Sequence, residues 1–211
     1  MNWKMENNEL IKYEAGLIKR VGNAISVTNK LLATIEPQLI PHQKKGKWGF
    51  VDKSGKEVIP FIYEYAGGFL EGMSKVQLNR KYGFVDKSGK GVIPFIYENA
   101  VFFSEDLCAV NLNGKWGFID KSGKEIIPFI YQHGTFFSEG LVRVNLNGKV
   151  GFIDKSGKEI IPFIYEDASF FDKGLAEVKL KGKWGSIDKS EKVVTPFIYE
   201  NFIQLNKLKY T

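Results

Sequence analysis

The stretch GFIDKSGKEIIPFIY stands at Gly117–Tyr131, and the same fifteen letters return at Gly151–Tyr165. The two copies are 34 residues apart, and Trp48-Gly49 and Pro60-Phe-Ile-Tyr63 each begin a series of five related copies at that interval. No insertion or deletion breaks the interval, which predicts units that pack on their neighbours in an equivalent way. The fold therefore follows from one unit and from how its copies stack.

The repeating unit reads as β structure, although 34 residues is also the length of tetratricopeptide helical pairs. The run Val144–Gly148 ends in Asn-Gly, which is typical of a type I′ hairpin. Next comes a turn in which Asp154 can accept hydrogen bonds and Gly157 can take positive φ. Glu159–Pro162 adds a third β-rich run, and a proline in every unit argues against long helices. Each unit is predicted to be a three-stranded meander followed by a loop such as Glu166–Gly174.

The predicted fold class is mainly β, with tandem 34-residue repeats forming an open solenoid-like array over residues 39–211. A closed five-bladed propeller is the alternative that the repeat number leaves open. Alternation along the first strand of each unit places Val142, Val144 and Leu146 on one side. Arg143 and Asn145 lie on the other side, which we expect to face water.

The N-terminal segment, residues 1–38, follows a different pattern. Leu10, Leu17 and Leu31 belong to one column of apolar residues spaced by seven, which predicts an amphipathic α-helix within residues 7–36. This helix either caps or lies along the repeats, or it docks on a partner and forms a homodimer. The candidate interface residues are Leu10, Ile11, Leu17, Ile18, Val21, Ile25, Leu31, Leu32 and Ile35.

The residues Gly114-Lys-Trp-Gly-Phe-Ile-Asp-Lys-Ser-Gly-Lys-Glu-Ile-Ile-Pro128 resemble the WG, or KWG, repeat family of bacterial proteins. Phe137–Leu141 matches the second half of the family's unit, and the resemblance extends over about residues 39–205. It implies a bacterial β-rich scaffold that mediates interactions. Tyr82 and Val150 depart from the family's namesake tryptophan, which affects local packing.

Composition narrows the classes of function. The net charge is +6 without a concentrated basic run, so nucleic acid is not an expected partner. No apolar run approaches the length of a membrane-spanning helix, and we expect no membrane partner. Cys108 is the single cysteine, which fits a reducing compartment. We expect a cytoplasmic protein, with export by a specialised secretion route as the alternative.

Residues copied along an array make poor catalytic groups, because equivalent copies lie in different places while catalysis needs unlike groups at one point. We therefore expect no enzyme, no cofactor and no metal site. The acidic turns, of which Asp120 is one, lack the alternating acids of a calcium loop. His42 and His133 lie on different units, and Cys108 is expected to be a buried, inert thiol.

The positions that vary between copies are the candidate binding surface, since an invariant frame with a varied face is typical of repeat proteins that bind partners. They lie on the outward side of the first strand and in the loop after each Pro-Phe-Ile-Tyr. The candidates are Lys75, Gln77, Asn111, Arg143, Asn145, Glu177, Lys179, Tyr65, Asn99, His133 and Asp167. We expect a non-enzymatic scaffold that binds an unidentified protein, or a glycan. The alternative is a structural spacer or self-assembly element with a dimerising N-terminal helix.

Overall fold

The computed structural model describes residues 38–201, and within this range the chain forms strands and turns but no helix. The predicted amphipathic helix and all of its candidate interface residues lie outside the described residues.

The strands form five separate antiparallel sheets, each built from consecutive stretches of the chain. The first sheet contains β1 (Ile40–Lys44), β2 (Lys47–Val51) and β3 (Glu57–Tyr63). The second contains β4 (Tyr65–Leu70), β5 (Met73–Leu78), β6 (Lys81–Asp86) and β7 (Gly91–Tyr97). The third contains β8 (Asn99–Ala100), β9 (Leu107–Leu112), β10 (Lys115–Asp120) and β11 (Glu125–Tyr131). The fourth contains β12 (His133–Gly134), β13 (Leu141–Leu146), β14 (Lys149–Asp154) and β15 (Glu159–Tyr165). The fifth contains β16 (Asp167–Ala168), β17 (Leu175–Leu180), β18 (Lys183–Asp188) and β19 (Val193–Tyr199).

The sheets after the first have one strand more than predicted. The predicted loop Glu166–Gly174 begins with the two-residue strand β16, in which Asp167 pairs with Lys179 and Ala168 with Val178. The same pairing recurs in the preceding sheets. Two residues are too short for alternation to reveal a strand, which is why the sequence pattern showed only a loop here.

The predicted turns are confirmed. Asn113 and Gly114 have φ values of 53° and 75°, as a type I′ hairpin requires, and Asn79-Arg80 keeps the same geometry with φ of 52° and 62°. In the acidic turns, Asp120 Oδ1 accepts hydrogen bonds from the Ser122 hydroxyl at 2.6 Å and from the Ser122 and Lys124 backbone N–H groups at 2.8 and 3.0 Å.

Successive sheets pack face to face through four buried clusters, each shared by two neighbouring sheets. The cluster between the third and fourth sheets joins Phe118 and Ile127 of the former to Val142 and Val144 of the latter. An interior sheet therefore buries both of its faces. The expectation that one face of each unit meets water is wrong, because the next copy covers that face.

The glycine of each Trp-Gly pair lies beneath a bulge in the neighbouring strand. Trp116 pairs with Tyr131 and Phe118 with Ile127, so the single residue Gly117 lies opposite three residues of β11. A Cβ atom on Gly117 would lie 2.8 Å from the Ile127 carbonyl oxygen and 2.9 Å from the Phe129 ring. This contact links the Trp-Gly motif to Pro-Phe-Ile-Tyr, since the phenylalanine ring needs the bare backbone.

Candidate binding surface

The structure pairs most of the candidate residues across two neighbouring strands. In each sheet after the first, one candidate of the short strand lies directly opposite one candidate of the following strand. The four pairs are Tyr65 with Gln77, Asn99 with Asn111, His133 with Asn145, and Asp167 with Lys179. We call these four pairs the rim pairs. They recur once per sheet, on the short-strand side of the array.

The rim pairs are accessible and mostly uncharged. Asn99 and His133 are exposed, and their opposite residues Asn111 and Asn145 are half-buried. The His133 ring stacks on Trp116, with the ring centroids 6.4 Å apart and the planes 19° from parallel. Amide and imidazole side chains both donate and accept hydrogen bonds, so the middle of this surface can recognise neutral polar groups.

The expected exposure is wrong for the remaining strand candidates, Lys75, Arg143 and Glu177. Their column faces the next sheet, as Ala109 of the same column shows by being only 1% exposed. Lys75 Nζ donates a hydrogen bond to the Ala100 carbonyl oxygen at 2.8 Å. Arg143 Nη1 donates to the Ala168 carbonyl oxygen at 2.7 Å, so both cations join a sheet to the short strand of the next one.

Each of these three buried or half-buried side chains has polar partners that offset its desolvation. Arg143 also lies 3.1 Å from Asp167. Lys75 Nζ lies over the rings of Tyr65 and Tyr82, 5.3 and 5.4 Å from their centroids. Glu177, which is 4% exposed, accepts a hydrogen bond from the Ser169 hydroxyl. This column contributes to the joints between sheets, and a role for it in binding stays a prediction.

Sequence reasoning missed a second periodic surface. The isoleucine of each Pro-Phe-Ile-Tyr is exposed, by 43–62%, on the strand at the opposite edge of each sheet; these residues are Ile62, Ile96, Ile130, Ile164 and Ile198. The bulge opposite the Trp-Gly glycine interrupts alternation there, so the pattern predicted burial of the whole run. The signal that could have revealed this surface is the pairing of that run with an invariant glycine.

The lone thiol and the acidic groups offer little chemistry in this part of the chain. Cys108 is fully buried, and burial raises the pKa of its thiol. Within residues 38–201 no group of three His, Cys, Asp or Glu side chains could hold a metal ion. No helix of the described range is long and apolar enough to cross a membrane.

Three comparisons place this fold among known proteins. A eukaryotic initiation factor superposes with a TM-score of 0.53 at 10% identity, over 78% of this chain and 53% of that one. Hsv2 of Kluyveromyces lactis gives a TM-score of 0.46 at 8% identity, over 75% and 59%. The chain thus spans little more than half the length of either protein. The likeness to the initiation factor concerns the fold alone, a β-rich repeat arrangement of the propeller-like type.

A search of curated proteins finds no match to the chain. The family model described as the WG-containing repeat matches residues 48–82, 82–116, 116–149 and 151–184, in register with the unit described above. These matches extend over most of the described residues. The chain therefore belongs to the family of proteins with WG-containing repeats.

Proposed function

We propose that the protein is a non-enzymatic scaffold that binds a protein partner along the rim pairs. The observation that carries the proposal is the distribution of variation between repeats. The residues that build the joints, such as Phe118, Ile127 and Gly117, have near-identical counterparts in neighbouring units. The rim pairs change from Tyr–Gln to Asn–Asn, His–Asn and Asp–Lys at one repeated place.

The chemistry of the rim pairs supports a peptide-like ligand. Asn99, Asn111 and Asn145 each offer one acceptor and two donors, which suits the alternating C=O and N–H groups of a polypeptide. Asp167 and Arg143 neutralise each other at 3.1 Å, so the surface lacks the strong charge that a polyanion requires. Glycan hydroxyls are the second ligand class with matching groups, and the binding test below separates the two.

The array in this proposal is open and curved. Phe102, Phe136 and Phe170 occupy equivalent positions, and consecutive rings lie 5.3 Å apart. Stacked sheets are usually about 10 Å apart, so this spacing supports sheets that converge towards the side of the short strands. The rim pairs lie on that side, where a ligand would touch several repeats at once.

The experiment compares two triple variants in affinity capture from a lysate, followed by binding of the purified candidate. Asn99→Ala, Asn111→Ala and Asn145→Ala together should abolish binding of a protein that the unchanged chain retains. The matched control is Lys56→Ala, Lys90→Ala and Lys124→Ala, three exposed residues of the acidic turns. Retention of the partner by the asparagine variant would contradict the proposal, and release of the partner by free oligosaccharide would assign the surface to glycans.

The N-terminal segment adds a separate proposal, in which the amphipathic helix predicted within residues 7–36 joins the scaffold to a second copy or to another protein. Its heptad columns support this role. Sedimentation velocity of the full chain and of a variant without residues 1–38 tests it. A dimer that becomes a monomer on truncation supports assembly, whereas a truncated chain that unfolds shows that the segment is a cap.

A further inference from the structure

The joint between two interior sheets contains a pair of side chains of opposite size. Phe118 of the third sheet is fully buried and lies against the short strand of the fourth sheet. A Cβ atom on Gly134 of that strand would lie 3.3 Å from the tip of the Phe118 ring. The large residue thus belongs to the preceding sheet, and the small residue belongs to the following short strand.

This pattern holds at every interior joint. The large residue is Phe50, Phe84, Phe118 or Phe152, each at most 1% exposed. The small residue is Ala66, Ala100, Gly134 or Ala168, each buried. A second ring from the loop after the short strand completes the joint, as the contact of Phe118 with Phe137 at 5.3 Å shows.

The fifth sheet breaks the pattern on the face that points away from the fourth. Ser186 stands where the other sheets have phenylalanine, and Thr195 stands where they have isoleucine. The two hydroxyls form a hydrogen bond of 2.7 Å, so their polar atoms are satisfied. Lys173 replaces the glutamate that in the earlier sheets accepts a hydrogen bond from the next sheet, as Glu139 does from Gly174 at 3.0 Å.

The chain that follows β19 carries the reverse change of size. Tyr199-Glu200-Asn201 repeats Tyr97-Glu98-Asn99 letter for letter, and the next position, which is alanine or glycine in the other copies, is Phe202. The position of the second ring is Leu205. The interior combination of a phenylalanine on the sheet and a small residue on the short strand becomes serine on the sheet and phenylalanine on the following segment.

We propose that residues 200–205 fold back as the first part of a sixth unit and cap the open face of the fifth sheet, with the Phe202 ring filling the volume that Ser186 leaves. A swap of a large and a small residue conserves the volume of a joint, which packed interiors tolerate better than a net change. A phenylalanine ring buries roughly 150–250 Å² when it is covered, which favours this docking over exposure.

The course of the chain up to Glu200 supports the proposal. Glu200 forms an ion pair with Lys183. The equivalent residues of the second sheet, Lys81 and Glu98, form the same pair at 2.7 Å. The backbone therefore leaves the fifth sheet in the direction that it takes at an interior joint, and Phe202 follows two residues later.

A double-mutant cycle on thermal unfolding tests the packing of Ser186 against Phe202. Ser186→Phe alone should lower the unfolding temperature because two rings then compete for one space, and Phe202→Ala alone should lower it because a cavity remains. The double variant restores the interior combination and should recover most of the combined loss. Additive losses would overturn the proposal. Ile198→Ala, at a residue 62% exposed, is the matched control and should not couple to Ser186→Phe.

A disulfide test keeps the proposal falsifiable if a single variant fails to fold. In a Cys108→Ser background, Ser186→Cys with Phe202→Cys should form an intramolecular disulfide under mild oxidation, since the two Cβ atoms would lie in contact. Serine is tolerated at position 108 because Ser74 is the equivalent buried residue of the second sheet. Ser186→Cys with Lys209→Cys is the mismatched pair. Equal yields for both pairs, or a disulfide only between two chains, would overturn the proposal.

Discussion

At the scale of single residues, the Trp-Gly glycine is defined by contact and not by its backbone angle. Gly117 has no room for a Cβ atom, because the Ile127 carbonyl oxygen would lie at 2.8 Å and the Phe129 ring at 2.9 Å. One of the two obstacles is backbone, which cannot turn away as a flexible side chain can. Gly117→Ala should therefore lower the free energy of unfolding by about 1–3 kcal/mol, as overpacking of a core does.

Urea denaturation at neutral pH measures this loss. The matched control is Gly68→Ala, since a Cβ atom at Gly68 would meet nothing within 4 Å and its φ is not positive. The control should change the free energy of unfolding by no more than about 0.5 kcal/mol. Equal effects of the two substitutions would show that the bulge moves freely over the glycine.

Arg80 is the residue where the hairpin geometry and the amino acid disagree. It has φ of 62° at a position that is glycine in the other hairpins, such as Gly114 with φ of 75°. A side chain with Cβ is strained there, so Arg80→Gly should raise the free energy of unfolding by about 1 kcal/mol. Arg80→Ala keeps the strain and should give no such gain. Both are measured by urea denaturation, and a gain from both variants would assign the effect to charge.

At the scale of the element, the acidic turn makes stability depend on pH. The Ser122 hydroxyl, followed by the backbone N–H groups of Lys124 and Ser122, lowers the pKa of Asp120, and Asp52, Asp86, Asp154 and Asp188 share this arrangement. The unfolded chain therefore binds these protons at a higher pH than the folded chain does. The turns contribute their full stability above the ordinary aspartate pKa of about 3.9 and lose it as the pH falls through the lower folded values.

Urea midpoints between pH 2 and pH 6 should therefore hold near the upper end and fall below about pH 4. Asp120→Asn with Asp154→Asn should flatten the acid limb, because an amide keeps an acceptor oxygen but does not titrate in this range. The control is Asp172→Asn, an exposed residue outside these turns, and it should leave the limb unchanged. A limb of the same slope in all three proteins would place the acid sensitivity elsewhere.

At the scale of the whole molecule, stability is a sum over units and joints. Deleting residues 117–150 joins Trp116 to Gly151 and removes 34 residues, so the register of every remaining strand is preserved. The shortened protein should fold with four sheets and lower stability, and its urea m-value should fall by about a fifth because less surface is exposed on unfolding. Deleting residues 117–133, half a unit, should prevent cooperative folding, as circular dichroism and urea denaturation would show.

The repeat boundaries, the hairpin turns and the aspartate caps could all be predicted because each depends on residues a few positions apart. Asn113-Gly114 favours its turn whatever lies across from it, and Asp120 finds Ser122 two residues later. The rim pairs came close, since their positions were chosen by variation, but their pairing required the short strands. The exposed isoleucines were missed because a bulge reverses the side on which they point.

What the sequence determined by itself is the unit: its length, its β character and its local turns, all of which are set by short-range sterics and hydrogen bonds. What only the tertiary structure decided is which polar residues are buried. Lys75, Arg143 and Glu177 read as a water-facing column, yet a second copy of the unit covers that face and supplies the carbonyl oxygens that Lys75 and Arg143 bind. Alternation reports that the two faces of a strand differ in polarity, and only the stacking of whole sheets determines whether the polar face meets water or a neighbour.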